Sequence, residues 1–492
     1  MFGIKKPHQI VRIGEKEIDR QQLKKLSKDE IIDFFLAIIA SQAKQIQELQ
    51  QEVKELKDKL AKLSRNSSTS SKPPSSDITQ PRKPKNAATE NNKPGAQKGH
   101  EGACRCPFPA EQVDKVEKLE MRVCPDCNRQ VQPCRDVEPK IQQTLELAAK
   151  PVVVIEYQQQ AYWCAACGKT HYAPLPEGVV PDQLLDIKLQ NVIGYMKGAM
   201  HCSYSSLANF FGEVLAVPVS RGLLENTVRR VSEALAQPYA ELAEHIKGEA
   251  ALYIDESGWK ENGRRCWAWV FANKLLSFFT IEKSRGSAVL KKVLGESFLG
   301  AVISDFFSAY VKFANQIQQF CLAHLIRDIK FLMMLPAAAE NQFGKRLLIK
   351  FKTLFWLWHK REQIPKDRWE KLMQRVMAGI KAIVAVPLLP PHTQRLAKRL
   401  HKHWDAIFCF VFWPAIEPTN NIAERAIRAL VMDRTVTQGS RSEWGRQWSA
   451  RIWTVLSTCR KQNRSAWCFI NDALQAHYFN AVYPSLIPVT AS

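Results

Sequence analysis

Residues 251–305 run ALYIDESGWKENGRRCWAWVFANKLLSFFTIEKSRGSAVLKKVLGESFLGAVISD. ALYIDESGW opens on a continuous apolar run that ends at Asp255. RRCWAWVFA (264–272) and LLSFFTIEK (275–283) are β-branched and aromatic, with a two-residue turn, Asn273-Lys274, between them. Those three read as a β-meander. SAVLKKVLG (287–295) has helical spacing, and GAVISD (300–305) is a second apolar strand closing on an aspartate, Asp305.

Downstream, SAYVKFANQ (308–316) reads as helix, and QQFCLAHL (318–325) as a strand running into a helix. The order βββαβαβ predicts an RNase H-like α/β core, a mixed sheet with helices on its faces. From about 330 to 415 the pattern is helical, as in DRWEKLMQRVMAGIKAIVA (367–385). Asp305 and Glu424 lie 119 residues apart, far beyond one compact connection, so a helical insertion is expected there.

EPTNNIAERAIRALVMDRTVTQGS (417–440) follows. Thr419 is the expected N-cap. Ile422, Ala423, Ala426, Ile427, Leu430 and Val431 form an apolar stripe, and Asn421, Glu424, Arg425 and Arg428 share the opposite face. Two aspartates hold a divalent cation poorly, and a third carboxylate completes the cage. Glu424 is the expected third, with Asp255 and Asp305. Such a set suits two Mg²⁺ (or Mn²⁺) ions roughly 3.5–4 Å apart and in-line displacement at phosphorus. Arg425 and Arg428 suit phosphate. Asn420 and Asn421 can bond a DNA backbone or orient the carboxylate. Glu256, Asp328, Glu417 and Asp433 are competing acids.

The 492 residues suffice for about three domains. A net charge of +22 and a pI near 9.5 point to a polyanionic partner, nucleic acid above all. The longest apolar runs, IIDFFLAIIA (31–40) and IFCFVFW (407–413), fall short of the roughly 18 residues of a membrane span. MFGIKKPHQIVRIGEKE lacks the apolar centre of a signal peptide.

Upstream of the core, residues 28–64 predict one long helix. Its Ile46, Leu49, Val53, Leu56, Leu60 and Leu63 step by three and four, a heptad seam that predicts self-association as a homodimer or higher multimer. SRNSSTSSKPPSSDITQPRKPKNAATENNKPGAQKGHEG (64–102) cannot bury a core and reads as a disordered or extended basic arm, with Lys83 and Lys85 on phosphates, or as a solvated linker. Cys124-Pro-Asp-Cys127 and Cys164-Ala-Ala-Cys167 have the spacing of a structural four-cysteine Zn²⁺ ribbon, 36 residues apart; Cys104, Cys106, Cys134 and His171 are alternative ligands. Residues 184–245 hold three short amphipathic helices, with Arg229 and Arg230 on the last, as a helix-turn-helix unit or a plain connector.

The expected division is therefore 1–64 coiled coil, 65–102 linker, 103–182 zinc ribbon, 183–248 helical DNA-binding region, 249–335 and 416–475 catalytic core, 336–415 insertion and 476–492 tail.

With NSSTSSKPPSSD, KPGAQKGHEG, the two cysteine pairs, YIDESGW, ISDFFSAY, FCLAHLIRD, PTNNIAERAIR and GSRSEWG in order, nearly the whole chain resembles transposases of the insertion-sequence-66 family, bacterial DD-E enzymes. The resemblance implies a catalytic triad of Asp255, Asp305 and Glu424 and places His324 in a motif of the family core. It implies binding of terminal inverted repeats and target DNA, to which His324 and Arg441 would also contribute, strand cleavage and strand transfer. It further implies possible accessory proteins of the same element and a cytoplasmic, nucleoid-associated site of action. FFSAY is more apolar than the family form. A catalytically inactive or domesticated DNA-binding relative, and a plain RNase H-like nuclease, are the alternatives.

Overall fold

The computed structural model describes residues 11–13, 16–18, 25–65, 69, 107–123, 125–130, 141–145, 147–148, 150–313, 317–387 and 389–488. The chain forms two units, one of Met1–Arg82, Leu185–His201 and Thr227–Ser492, the other of Lys83–Leu184 and Cys202–Asn226. No helix of the described residues is long and apolar enough to cross a membrane.

In the smaller unit an antiparallel hairpin pairs Ala161–Cys164 with Lys169–Tyr172, closing at Cys164 opposite Lys169. Gly168 takes φ +62°, a left-handed turn conformation that glycine adopts without a Cβ penalty, and its N–H donates to the Cys164 carbonyl at 2.9 Å. A bridge between Val123 and Gln130 closes a second loop around Cys127. Ser203 caps a helix over Tyr204–Asn209, which runs into a π-turn over Phe210–Val214.

The larger unit begins, after a short hairpin of Val11–Ile13 with Lys16–Ile18, with α1 (Lys28–Leu63). Ser27 and Glu30 form a capping box: the Glu30 N–H donates to Ser27 Oγ, and the Ser27 N–H donates to the Glu30 carboxylate at 2.8 Å. Next come α2 (Ile187–Ala199), α3 (Arg221–Ala234), which enters this unit at Thr227, and α4 (Ala236–His245). Asp186 caps α2 by accepting from the Leu189 N–H.

Five strands make the central sheet: β1 (Ala251–Glu261), β2 (Arg264–Ala272), β3 (Ser277–Glu282), β4 (Ala301–Ser304) and β5 (Gln318–Phe320). Their order is β3-β2-β1-β4-β5, with the first three antiparallel and β4 and β5 parallel to β1. Between β3 and β4 lies α5 (Ser287–Leu294), and between β4 and β5 lies α6 (Ser308–Lys312). Trp269, Phe271 and Phe279 are fully buried, and β3 is buried along nearly its whole length because both its faces are covered.

Two details differ from the sequence reading. β1 does not stop at Asp255 but continues to Glu261 as a long hairpin with β2, turned by Asn262 (φ +46°) and Gly263 (φ +77°). The β2–β3 connection is four residues rather than two, because the Asn273 side chain accepts from the N–H groups of Leu275 and Leu276 and wraps the turn around itself.

After β5 the chain is helical: α7 (Leu322–Leu332), α8 (Ala338–His359), α9 (Lys366–Val384), α10 (Pro391–Lys402), α11 (Trp404–Phe412), α12 (Asn421–Thr437), α13 (Glu443–Lys461) and α14 (Ala466–Phe479). Leu347, Phe351, Met373, Ile380 and Leu400 make a separate core for α8–α10. Helices cover both sheet edges. Thr454 and Thr458 of α13 accept from the β3 N–H groups of Phe279 and Ser277. At the other edge the Gln319 side chain bonds the backbone of Ile407 and Phe410 in α11. Edge strands masked this way offer no template for further pairing.

Candidate active site

The sheet register sets two carboxylates side by side. Tyr253 of β1 pairs with Ile303 of β4, and two residues beyond that pair stand Asp255 and Asp305. Asp305 follows the last residue of β4, where its Oδ1 accepts from the Phe307 N–H at 2.8 Å. Asp255 remains in β1, held opposite Val270, and accepts from the Glu256 N–H at 3.0 Å.

Glu424 stands in the first turn of α12, a helix that packs on β1 and β2, near enough for its charge to act on Asp255. Burial pushes the Asp255 carboxyl well above its usual range, and the neighbouring charges of Glu256, Asp305 and Glu424 push it the same way. His324 on α7 lies with Nδ1 3.7 Å from Glu424 Oε1, and Arg327 lies 3.7 Å from Oε2. Burial, with Arg327 alongside, lowers the His324 pKa and favours the neutral imidazole. Glu424 Oε1 and His324 Nδ1 are both buried without a hydrogen-bond partner. Cys321 Sγ, a His324 nitrogen and a Glu424 oxygen all lie within 4.8 Å of one another. Mutually repelling acids with an orphaned carboxylate oxygen fit the demands of a divalent cation.

Three of the four competing acids, Glu256, Asp328 and Asp433, have their carboxylates otherwise engaged. Glu256 carries a side chain only 1% exposed; Arg285 donates to its Oε1 at 2.8 and 2.9 Å, and the Tyr310 hydroxyl donates to its Oε2. Asp328 pairs with Arg399, and Asp433 lies 3.0 Å from His201 Nδ1. The Glu417 N–H donates to the Tyr253 hydroxyl.

The residues expected to meet DNA separate by exposure. Arg425, Arg428 and Arg441 are exposed, and Asn421 is half-buried. Asn420 is 1% exposed and its side chain donates to the Ile254 carbonyl, turned inward to β1. It also replaces Thr419 as the N-cap residue of α12, without a capping side-chain bond because the amide is turned to β1. Arg441 follows an anchored turn. Gly439 (φ +101°) lies against the Lys260 carbonyl, where any Cβ would collide, and Ser440 bonds Lys260, Asn262 and Trp259. Lys83, Lys85 and Cys124 fall outside the described residues, as do Cys104, Cys106 and Cys134.

Of the cysteine pairs, Cys164 and Cys167 flank the hairpin turn. Backbone and side-chain bonds from Cys167, with the Ala166 N–H, lower the Cys164 thiol pKa and favour the thiolate a zinc ion requires. His171 Nε2 lies 3.4 Å from Cys167 Sγ, and Cys127 sits exposed in its own turn.

Tyr310 and Arg285 were not foreseen. Arg285 stacks on the rings of Phe307 and Trp267, 3.9 and 4.5 Å from their centroids. Phe306 stacks on Phe320 and lies under Arg399. These contacts explain the apolar FFSAY. The available signal was the adjacent pair Asp255-Glu256, since a second buried acid demands a cation nearby.

The family model described as Transposase IS66 family matches residues 186–448, which include Asp255, Asp305 and Glu424. A second, described as a family of unknown function (DUF6444), matches residues 6–106. No curated protein matches the chain.

Proposed function

Because the chain belongs to the IS66 family of transposases, we propose that it binds the ends of its mobile element and cleaves and transfers DNA strands at Asp255, Asp305 and Glu424. The observation that carries this reading is the knot of mutually repelling carboxylates around Asp255 in a chain of net charge +22. A protein that only bound DNA would have no use for acids gathered so closely that their charges push the Asp255 carboxyl upward. The sheet order β3-β2-β1-β4-β5 supports an RNase H-like core.

Asp255, Asp305 and Glu424 would hold the catalytic ions, Mg²⁺ or Mn²⁺ by the hardness of oxygen ligands. Two such ions, when bound, activate water or a 3′-hydroxyl and stabilise the leaving oxygen at phosphorus. Asn420 fixes the start of the Glu424 helix against β1. Neutral His324 and cationic Arg327 flank the Glu424 carboxylate and limit its rotamers. The exposed Arg425, Arg428 and Arg441 would take the phosphates. Cys127, Cys164 and Cys167, with Cys124, would hold a structural zinc ion, and the basic arm through Lys83 and Lys85 would track the backbone. The protein would act in the bacterial cytoplasm on nucleoid DNA.

The test is cleavage and strand transfer on DNA carrying the element's ends, with Mg²⁺ or Mn²⁺, comparing wild type with Asp255→Asn and Glu424→Gln. Cleavage by wild type alone, with binding of the same DNA retained in both variants, is the expected result. Equal cleavage in all three would remove these acids from the chemistry, and binding without cleavage in all three would favour the pure DNA-binding reading.

A further inference from the structure

Helix α1 carries a seam longer than the six residues that first mark it. In a heptad frame with Ile46 at a, the a positions are Ile32, Ile39, Ile46, Val53 and Leu60. The d positions are Phe35, Gln42, Leu49, Leu56 and Leu63. The frame therefore holds for all 36 residues, about 54 Å of helix. The nine apolar members are 46–68% exposed. Among the described residues, nothing in their own chain covers them.

What the chain does cover is the opposite side. Ala61 is buried, Asp58 lies 3.7 Å from His392 of α10, and the Arg65 guanidinium sits 3.5 Å over the Phe331 ring of α7. In the frame Ala61 and Asp58 are b and f positions, roughly 130–170° around the helix from the seam, and Arg65 lies just past the helix end. An amphipathic helix serving its own domain would turn its apolar stripe inward. Here the contacts to α7 and α10 hold the helix by its polar back and leave the stripe open.

We propose that the occupant of this seam is α1 of a second copy of the chain, in a parallel, in-register, two-stranded coiled coil. Three features select that arrangement. β-Branched residues fill four of the five a positions and leucine the last three d positions, the combination that favours two parallel strands. Gln42, the one polar core residue, meets its own copy only when the two helices run at zero offset, and loses less solvation there than against leucine. Of the flanking g and e pairs, Glu52 faces Lys57 of the second copy and Gln45 faces Gln50, while Ile31 opposite Leu36 and Ile38 opposite Ala43 extend the apolar contact.

A parallel pairing brings the two Leu63 ends together. Each end is fastened to its own α7 and α10, so the dimer carries two copies of the Asp255 unit side by side, one for each DNA end of a two-ended reaction. The pairing itself goes beyond the catalytic reading and stands without it.

The full-length protein, freed of DNA by nuclease and high salt, is weighed by light scattering. The Gln42→Cys variant is then oxidised mildly and the cross-linked peptides are identified by mass spectrometry. A mass of twice 56.1 kDa and a symmetric disulfide between the two introduced thiols are expected. Glu52→Lys should weaken the dimer about tenfold by setting like charges together, and Glu52→Lys with Lys57→Glu should restore it. That reversal does not depend on whether a core variant folds. A monomer at tens of micromolar, a trimer or tetramer, or a dimer whose introduced thiol joins only the native cysteines would overturn the proposal. None of these readouts involves cleavage, so a failed catalytic reading leaves the result interpretable.

Discussion

The side-chain amide of Asn420 donates to the carbonyl of Ile254 at 2.8 Å, one residue before Asp255. The same residue accepts from the Glu424 N–H at 3.0 Å through its backbone carbonyl and donates its own N–H to Cys321 Sγ at 3.1 Å. Three segments that carry or flank the acids therefore meet at one buried asparagine. Asn420→Ala should cost about 1–3 kcal/mol in urea unfolding, because it leaves a buried carbonyl unpaired. It should also slow cleavage more than it weakens DNA binding. Cleavage unchanged at full occupancy would show that the α12–β1 tie is structural alone.

Glu256 gives a second test. Burial raises its pKa, the Tyr310 hydrogen bond opposes that most strongly, and Arg285 opposes it too. Tyr310 also meets the Phe307 ring edge-on, and the Phe307 N–H holds Asp305. Tyr310→Phe keeps the ring and deletes the hydroxyl. The half-saturating Mg²⁺ concentration for cleavage should rise several-fold with DNA affinity unchanged, since Glu256, whose charge acts beside Asp255 and Asp305, loses its hydroxyl donor while the ring contact to Phe307 stays. An unaltered metal dependence would confine the Tyr310–Glu256 contact to folding.

What could be read from residues alone follows from what is local. The apolar runs before Asp255 and Asp305, and the helical stripe around Glu424, are short-range patterns, and the strand and helix order they imply is the order observed. The length of β1 was not legible, because its outer half is polar and is held by pairing with β2 and by the distant Ser440 turn. The inward turn of Asn420 was not legible either. Its partners lie 99 and 166 residues away, and an asparagine before a helix reads equally well as a cap or a surface ligand. The α1 seam was visible as a pattern, but only the structure shows that its back, through Asp58, Ala61 and Arg65, is the side in use.

The hairpin holding Cys164 and Cys167 sets a metal prediction apart from the acids. The purified protein should carry one zinc equivalent, read by elemental analysis. Cys164→Ser should lose it and weaken binding of DNA ends, because the thiolate favoured by the Ala166 and Cys167 N–H groups is gone. Magnesium-dependent nicking of DNA supplied at high concentration should persist. Full zinc content in Cys164→Ser would break the four-cysteine assignment, and His171, 3.4 Å from Cys167, would become the ligand to replace next.

Lys461 supplies the pH dependence. Its ammonium, on α13, donates to the carbonyls of Asn273 and Leu276 at 2.7 and 2.8 Å and so pins the β2–β3 turn. Burial draws its pKa from 10.5 down to about 7. Between those two values the folded protein holds fewer protons at this site than the unfolded chain does. Stability must therefore rise with pH across that window, by at most about 1.4 kcal/mol per pH unit, and be lost as pH falls toward 7. Below 7 both states are protonated and the contribution is flat. Lys461→Met keeps the apolar stem and removes the titration; the loss of two carbonyl partners adds a constant offset at every pH. Urea unfolding of both proteins at pH 6, 7, 8 and 9 separates the two effects. The difference in unfolding free energy should be level from pH 6 to 7 and then grow with pH in favour of the wild type. A difference that stays level through pH 9 would mean that the two carbonyls keep the ammonium charged in the fold, with hydrogen bonding outweighing burial.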